Sequence, residues 1–133
     1  MNGQKIRDDT CFCCGKNNEK GLHLTYTYPE EGKSRTSLTV PEYFSGWKNI
    51  SHGGFLSMLL DETMAHACRG KADMAVTAEM TVKYRKPVQT GDDILLEGEV
   101  VSVRSRIIET KARIILPNGD TAAEGKAKFI VQK

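Results

Sequence analysis

The longest helical pattern in the sequence runs from residue 51 to residue 68, with apolar side chains around most of its circumference. A helix that is apolar on nearly every side has to be enclosed by the rest of its domain. Arg69-Gly70-Lys71 follows, and these residue types suit the C-terminal dipole and the cap of a helix. The pattern therefore predicts one long central helix.

Six further segments alternate apolar and polar residues with the period of two that is typical of β-strands. They are residues 22–28, 34–40, 75–85, 94–103, 106–116 and 121–131. In the segment 75–85 the alternation places Thr77 on a polar face, opposite to Val76, Ala78 and Met80. Turn sequences separate most of these strands, which favours antiparallel pairing. The sequence thus predicts an α+β domain in which a curled antiparallel sheet of about five to six strands wraps the helix.

The length of 133 residues predicts a single domain, residues 1–133, with one hydrophobic core. Residues 1–20 are polar and are expected to form an irregular leader that lies over this domain. The net charge of +2 gives no reason to expect nucleic acid or a membrane as a partner. The polar start lacks the apolar core of a signal peptide, and we therefore expect a cytoplasmic protein.

Three of the four cysteines lie in the leader, at Cys11, Cys13 and Cys14. Neighbouring cysteines are poor disulfide partners for each other. The Cys11-x2-Cys14 spacing suits zinc, with His23 as a possible third ligand, but a structural zinc site usually has a second well-spaced pair. No such pair occurs in the sequence. We therefore expect no metal, and we expect the thiols to pack the leader against the domain.

Asp61 is an acidic residue near the middle of the apolar helix. An ionised carboxylate in such a place is costly unless a partner compensates it. No Lys or Arg lies one helical turn away, although the neighbouring Glu62 can reach His66 at i+4. Asp61 therefore either emerges at the surface, caps another loop, or is held in a cleft where its carboxylate takes part in chemistry.

His52-Gly53-Gly54 opens the helix. Glycines at a helix start let another molecule approach the backbone, and the first-turn N–H groups have no partner within the helix. With the positive end of the helix dipole behind them, these groups suit an anion or a developing oxyanion. The alternative is that the two glycines only permit tight packing.

Several motifs together resemble the hotdog-fold acyl-CoA thioesterases, and most closely the branch with the phenylacetate-pathway and thioesterase-superfamily-member enzymes. The leader, with Cys11-Phe12-Cys13-Cys14-Gly15 and Gly21-Leu22, is similar to the leader of many members of that branch. The other matching segments are His52-Gly53-Gly54, Leu59-Leu60-Asp61, residues 77–88 and Gly91-Asp92. The resemblance implies hydrolysis of acyl-CoA to a free acid and CoA, without a cofactor.

The resemblance also implies roles for individual residues. The N–H of Gly53 would polarise the thioester carbonyl, and Asp61 would act as general base on water or as nucleophile. Thr77 would position the water, and His52 would shape the loop that presents Gly53. The site would lie at the interface of a homodimer, or of a dimer within a tetramer.

Further residues are candidates for binding the substrate. Gly54 adds a second amide at the start of the helix. Many relatives carry an amide side chain several residues before the histidine, and the nearest amide here is Asn49, which lies closer to His52 than in those relatives. The basic residues of one short stretch could meet the phosphates of coenzyme A or could form a solvated strand end. They are Lys83, Arg85 and Lys86.

Two other functions fit the same fold. One is an acyl-CoA-binding or sensing domain without catalysis, which would need neither Asp61 nor Thr77. The other is an enoyl-CoA hydratase or dehydratase that uses His52 with a helix carboxylate. The sequence leaves the preferred acyl group open.

Overall fold

The computed structural model describes residues 10–72 and 74–132. One α-helix, α1 (Gly53–Ala67), lies between the early and late strands of the chain. The strands are β1 (Lys33–Thr39), β2 (Ser45–Trp47), β3 (Ile50–Ser51), β4 (Ala75–Tyr84), β5 (Asp93–Arg104), β6 (Ile107–Ile115) and β7 (Thr121–Val131). Two short 3-10 helices, Glu42–Phe44 and Cys68–Gly70, flank this central part. No helix in the described ranges has the length and apolarity needed to cross a membrane.

Five of the strands form one antiparallel sheet in the order β1-β5-β6-β7-β4. The helix packs against all five of them, which confirms a central helix wrapped by a sheet. β2 and β3 form a separate small hairpin immediately before the helix. β4 follows the helix in the chain and lies at one edge of the large sheet.

The core lies between the helix and the sheet. Leu59, Leu60 and Met64 are fully buried on the helix. Two glycines let the sheet approach closely: a Cβ on Gly98 would lie 2.8 Å from the Thr63 carbonyl oxygen, and one on Gly125 would lie 3.2 Å from the Met64 Cε. The helix is therefore held in a fixed position against β5 and β7.

The segment 22–28 is not a strand, which corrects the sequence prediction. It makes a single antiparallel bridge, from Thr27 to Arg35. His23 adopts a left-handed conformation with φ 54°, and the backbone N–H groups of Leu22 and Leu24 donate to the leader instead, to the carbonyls of Phe12 and Cys13. The side chains of the segment do alternate between more and less buried positions. Its backbone, however, forms hydrogen bonds with the leader where a strand would form them with a neighbouring strand.

The faces of β4 also differ from the prediction. Thr77 pairs with Phe129 and Glu79 pairs with Lys128, so Ala78 is an extra residue in a β-bulge. A bulge shifts the side-chain alternation by one residue. Thr77 consequently faces the helix, on the same side as the later residues Met80, Val82 and Tyr84, and not on an opposite polar face.

On the outer face of the sheet, Glu97 on β5 connects three strands. Arg35 on β1 donates to one of its carboxylate oxygens at 2.9 Å, and Arg113 on β6 donates to the other at 3.0 Å. Partial burial alone would raise the pKa of Glu97, but the two arginines outweigh it and hold the pKa below its ordinary value. The folded state therefore favours the ionised carboxylate.

We expect Glu97→Gln to lower the free energy of unfolding by about 1 kcal/mol at neutral pH, because charge-assisted hydrogen bonds are lost. A carboxyl group whose pKa is lowered by folding stabilises the protein above its unfolded pKa of about 4.3, and this contribution disappears as the pH falls through the folded value. Urea unfolding of wild type and variant at pH 7 and pH 3 measures both effects. Glu99→Gln is the control, since Glu99 makes one longer contact, 3.8 Å from Lys111. Equal losses at both pH values would contradict the prediction.

Candidate functional site

The helix begins with two neighbouring amides that differ in their bonding. His52 is the N-cap residue, and its Nδ1 accepts a hydrogen bond from the Gly54 N–H at 3.1 Å. The Gly53 N–H donates to no acceptor among the residues that the structure describes. Because the helix dipole adds positive potential here, the free amide of Gly53 is suited to an anionic or polarised oxygen. The N–H of Gly54, by contrast, already donates to the side chain of His52.

Tyr84, at the end of β4, packs against this helix start. Its hydroxyl donates to the Gly53 carbonyl at 3.1 Å and also contacts the Ser57 hydroxyl. A Cβ on Gly53 would lie 3.5 Å from the Tyr84 ring. Sequence reasoning missed Tyr84 and Ser57, because their contact joins residues 27 positions apart and no local pattern marks it.

Asp61 lies two turns further along the helix and is half-buried. Thr77, near the start of β4, donates a hydrogen bond to Asp61 Oδ1 at 2.6 Å. No Lys, Arg or His forms an ion pair with Asp61 in residues 10–72 and 74–132. The structure thus joins two of the predicted residues, and it leaves the second carboxylate oxygen of Asp61 available.

Gly53 and Asp61 are too far apart to act on one carbonyl within a single chain. They are separated by eight positions on one helix, which corresponds to about 12 Å along its axis at 1.5 Å per residue. A reacting carbonyl needs its oxyanion donor and its attacking water within about 3 Å each. One chain therefore carries both halves of a possible site without assembling them.

The two halves lie at opposite ends of the same edge strand. Thr77 with Asp61 is near the start of β4, and Tyr84 with Gly53 is at its end. The outer edge of β4 pairs with no strand of the described ranges, because β7 lies on its other side. Its backbone N–H and C=O groups are thus available for pairing with another strand.

The basic stretch beside Tyr84 is mostly engaged in surface ion pairs. Arg85 Nε lies 2.7 Å from Glu124, and Lys86 Nζ lies 2.5 Å from Asp120. These contacts lower the pKa of both carboxyl groups: the hydrogen bond from Arg85 is the main cause for Glu124, and that from Lys86 for Asp120. Lys83 is exposed and forms no ion pair with another described residue.

Asn49 occupies the tip of the β2–β3 hairpin. It has the left-handed φ of 60° that the tight turn requires, and its carbonyl accepts the Thr90 N–H at 3.1 Å. Asparagine tolerates this conformation well. The structure thus accounts for Asn49 as a turn residue, and within one chain no contact joins its side chain to Gly53 or Asp61.

The leader thiols gather on a different side of the helix. The ligand atoms of Cys11, Cys14 and Glu62 lie within 4.8 Å of one another. His23, the third ligand considered from the sequence, is elsewhere: it is exposed, and its Nε2 contacts the Asn18 carbonyl at 2.6 Å. Cys13 is buried in the core, as expected of a packing thiol.

Comparison with known proteins gives a consistent result. The family model described as the thioesterase superfamily matches residues 48–123. The human acyl-coenzyme A thioesterase 13 is 28% identical over 80 residues, which are 59% of this chain and 57% of that protein. The chain spans about half the length of the curated relatives it matches.

Solved structures share the fold at low sequence identity. The thioesterase superfamily protein RHA08564 superposes with a TM-score of 0.85, at 22% identity, over 92% of this chain and 60% of its own. The E. coli PaaI protein of the phenylacetic acid degradation operon superposes with a TM-score of 0.76 at 23% identity. The match covers 82% of this chain and 83% of that protein. The structure of smu.793 from Streptococcus mutans, bound to acetyl CoA, superposes with a TM-score of 0.77 at 18% identity. The match covers 82% of this chain and 88% of that protein. These likenesses confirm the predicted hotdog fold.

Proposed function

Because this chain belongs to the thioesterase superfamily, we propose that it hydrolyses acyl-CoA thioesters to a free acid and CoA. One observation carries the proposal: an amide suited to the thioester oxygen and a carboxylate suited to activate water lie at the two ends of the edge strand β4. The helix begins with the Gly53 amide, which donates to no acceptor in the described part of the chain, and a carboxylate that accepts from Thr77 lies two turns later. The relative named as an acyl-coenzyme A thioesterase and the structure bound to acetyl CoA support this substrate class.

The active site in this proposal is shared by two copies of the chain. If β4 pairs antiparallel with β4 of a second copy, with the two-fold axis near its midpoint, Thr77 of one copy lies opposite Tyr84 of the other. Tyr84 contacts Gly53, and Thr77 contacts Asp61. The pairing therefore brings Asp61 of each chain towards the Gly53 amide of its partner, and it closes the distance that separates them within one chain.

The chemistry follows from these groups. The thioester oxygen accepts the Gly53 N–H, which stabilises the negative charge that develops when the carbonyl carbon is attacked. Asp61 takes a proton from water as the water oxygen bonds to that carbon. The carbonyl then re-forms as the C–S bond breaks with its electron pair going to sulfur, and the thiolate of CoA leaves and takes the proton that Asp61 had accepted.

Thr77, His52 and Gly54 have supporting roles. Thr77 donates its proton to Asp61 Oδ1, so the hydroxyl orients the carboxylate while its lone pairs can accept from the same water. His52 caps the helix through Gly54 and thereby leaves the Gly53 amide as the one directed at the substrate. Lys83 is the first candidate for a phosphate of CoA, and Arg85 and Lys86 would have to exchange their carboxylate partners to join it.

A thiol-release assay on the purified full chain tests the proposal. The panel contains short, long, branched and aromatic acyl-CoAs, with free CoA detected by a thiol reagent and binding measured in parallel by calorimetry. We expect turnover of at least one member of the panel. Tight binding without thiol release would favour the acyl-CoA-binding domain, and consumption of an enoyl-CoA without thiol release would favour a hydratase. Either result would overturn thioester hydrolysis.

A further inference from the structure

The side of the helix next to Asp61 carries a cluster of metal-ligating groups that thioester hydrolysis does not use. The leader makes a tight turn in which the Gly15 N–H donates to the Cys11 carbonyl at 2.8 Å. This turn directs the thiols of Cys11 and Cys14 towards Glu62 of the helix, and all three ligand atoms lie within 4.8 Å of one another. A Cys-x-x-Cys-Gly turn therefore meets a carboxylate from a distant part of the chain.

The distances suit a tetrahedral zinc site. Zinc binds thiolate sulfur at about 2.3 Å and carboxylate oxygen at about 2.0 Å, which puts tetrahedral S and O ligands about 3.5 Å apart. Cys11 Sγ lies 3.8 Å from Glu62 Oε2. The Cys11–Glu62 distance is thus close to the tetrahedral value, and the other two ligand–ligand distances are at most 4.8 Å.

The surroundings of Glu62 resemble the outer shell of a metal ligand. Glu62 is 9% exposed, and its Oε2 contacts His66 Nε2 at 3.0 Å. Tyr28 contacts the other ring nitrogen of His66 at 2.7 Å, and Tyr26 stacks on the imidazole with ring centroids 3.9 Å apart. Such a chain of contacts fixes the orientation of a ligating carboxylate.

The electrostatics of the cluster favour a cation. Glu62 is an acidic side chain in a buried position, and the thiols of Cys11 and Cys14 lie beside its carboxylate. When both thiols ionise, three negative charges lie close together, one on a buried carboxylate and two on half-buried thiolates. A divalent cation would supply the positive charge that lets both thiols ionise.

We propose that Cys11, Cys14 and Glu62 bind a thiolate-preferring divalent cation, zinc by the donor set, with a water molecule as the fourth ligand. The cation clips the leader to the central helix. Both thiols lose their protons on binding, and no oxidation or reduction is involved. The clip joins the helix at the position directly after Asp61, so it also holds the segment that carries the candidate base.

Metal analysis of the full chain, expressed with zinc in the medium and purified without chelator, tests the site. We expect one zinc per chain in wild type and in Cys13→Ala, whose thiol lies in the same turn but outside the cluster. The variants Cys11→Ser and Cys14→Ser are expected to lose nearly all of the bound zinc. The variant Glu62→Gln is expected to bind zinc at least tenfold more weakly. Circular dichroism of each variant reports whether it has folded.

Two measurements on wild type keep the proposal testable even if a variant fails to fold. Cobalt added to the metal-free chain should give the intense near-ultraviolet sulfur-to-cobalt charge-transfer band of a thiolate site, and a chelator should lower the melting temperature by several degrees. A metal content far below one per chain, or cobalt without the charge-transfer band, would overturn the proposal. A mass 2 Da below the reduced chain, with Cys11 and Cys14 joined in a disulfide, would overturn it as well.

Discussion

Asp61→Asn is expected to lower kcat for acyl-CoA hydrolysis by about 10²–10⁴-fold, because the amide cannot take a proton from water. The substitution is nearly isosteric and can still accept the hydrogen bond from Thr77. The Michaelis constant should therefore change much less than kcat. Steady-state thiol release from the best substrate of the panel measures both parameters.

Asp93→Asn is the matched control for this variant. Asp93 is exposed at the start of β5, where it contacts the Thr39 hydroxyl away from the helix. We expect its kcat to stay within about twofold of wild type, as is usual for surface substitutions. Full activity of Asp61→Asn would place the base elsewhere, and equal losses in both variants would indicate a general effect on the fold.

Gly53→Pro is expected to lower kcat by about 10²–10³-fold, because proline removes the single N–H that we assign to the oxyanion. The substitution suits the backbone: proline is favoured at the first position of a helix, and the preceding His52 is already extended, with φ −62° and ψ 137°. Gly53→Ala is the control, since it keeps the N–H and its Cβ would make an ordinary contact with the Tyr84 ring at 3.5 Å. Similar losses in both variants would point to crowding and not to the amide.

The two inactive variants together test whether the site is shared. When Asp61→Asn and Gly53→Pro chains are co-refolded, half of the random dimers contain one chain of each kind. Each mixed dimer has one site with two intact residues and one site with two altered residues. Activity should therefore return to about a quarter of wild type. No recovery, with mixed dimers shown by mass spectrometry, would contradict a site shared in this way.

Most features of the central helix could be predicted from the sequence. Its apolar circumference predicted enclosure by the sheet, and the His52-Gly53-Gly54 start and Asp61 stand where the pattern put them. These features are local, because helical periodicity and capping depend on residues within a few positions. The antiparallel sheet could be predicted for the same reason, from alternation and turn residues.

What the sequence did not reveal depends on contacts between distant segments. The bulge at Ala78 turned Thr77 towards Asp61 although simple alternation placed it on the other face. Segment 22–28 alternates like a strand, yet its hydrogen bonds go to the leader. Glu62 joins Cys11 and Cys14 across about fifty residues, a distance over which no spacing rule operates.

The edge position of β4 has a consequence for how the protein behaves in solution. The outer backbone groups of β4 pair with no strand of the described ranges, and such a strand invites association with other chains. In the proposed dimer, β4 also brings the Thr77–Asp61 contact of one chain beside the Tyr84–Gly53 contact of the other. If the chain forms the proposed dimer, dilution below its dissociation constant would separate the two halves of each site and expose the edge of the sheet at the same time. Specific activity should then fall, and hydrogen exchange of the β4 amides should speed up, over the same range of protein concentration.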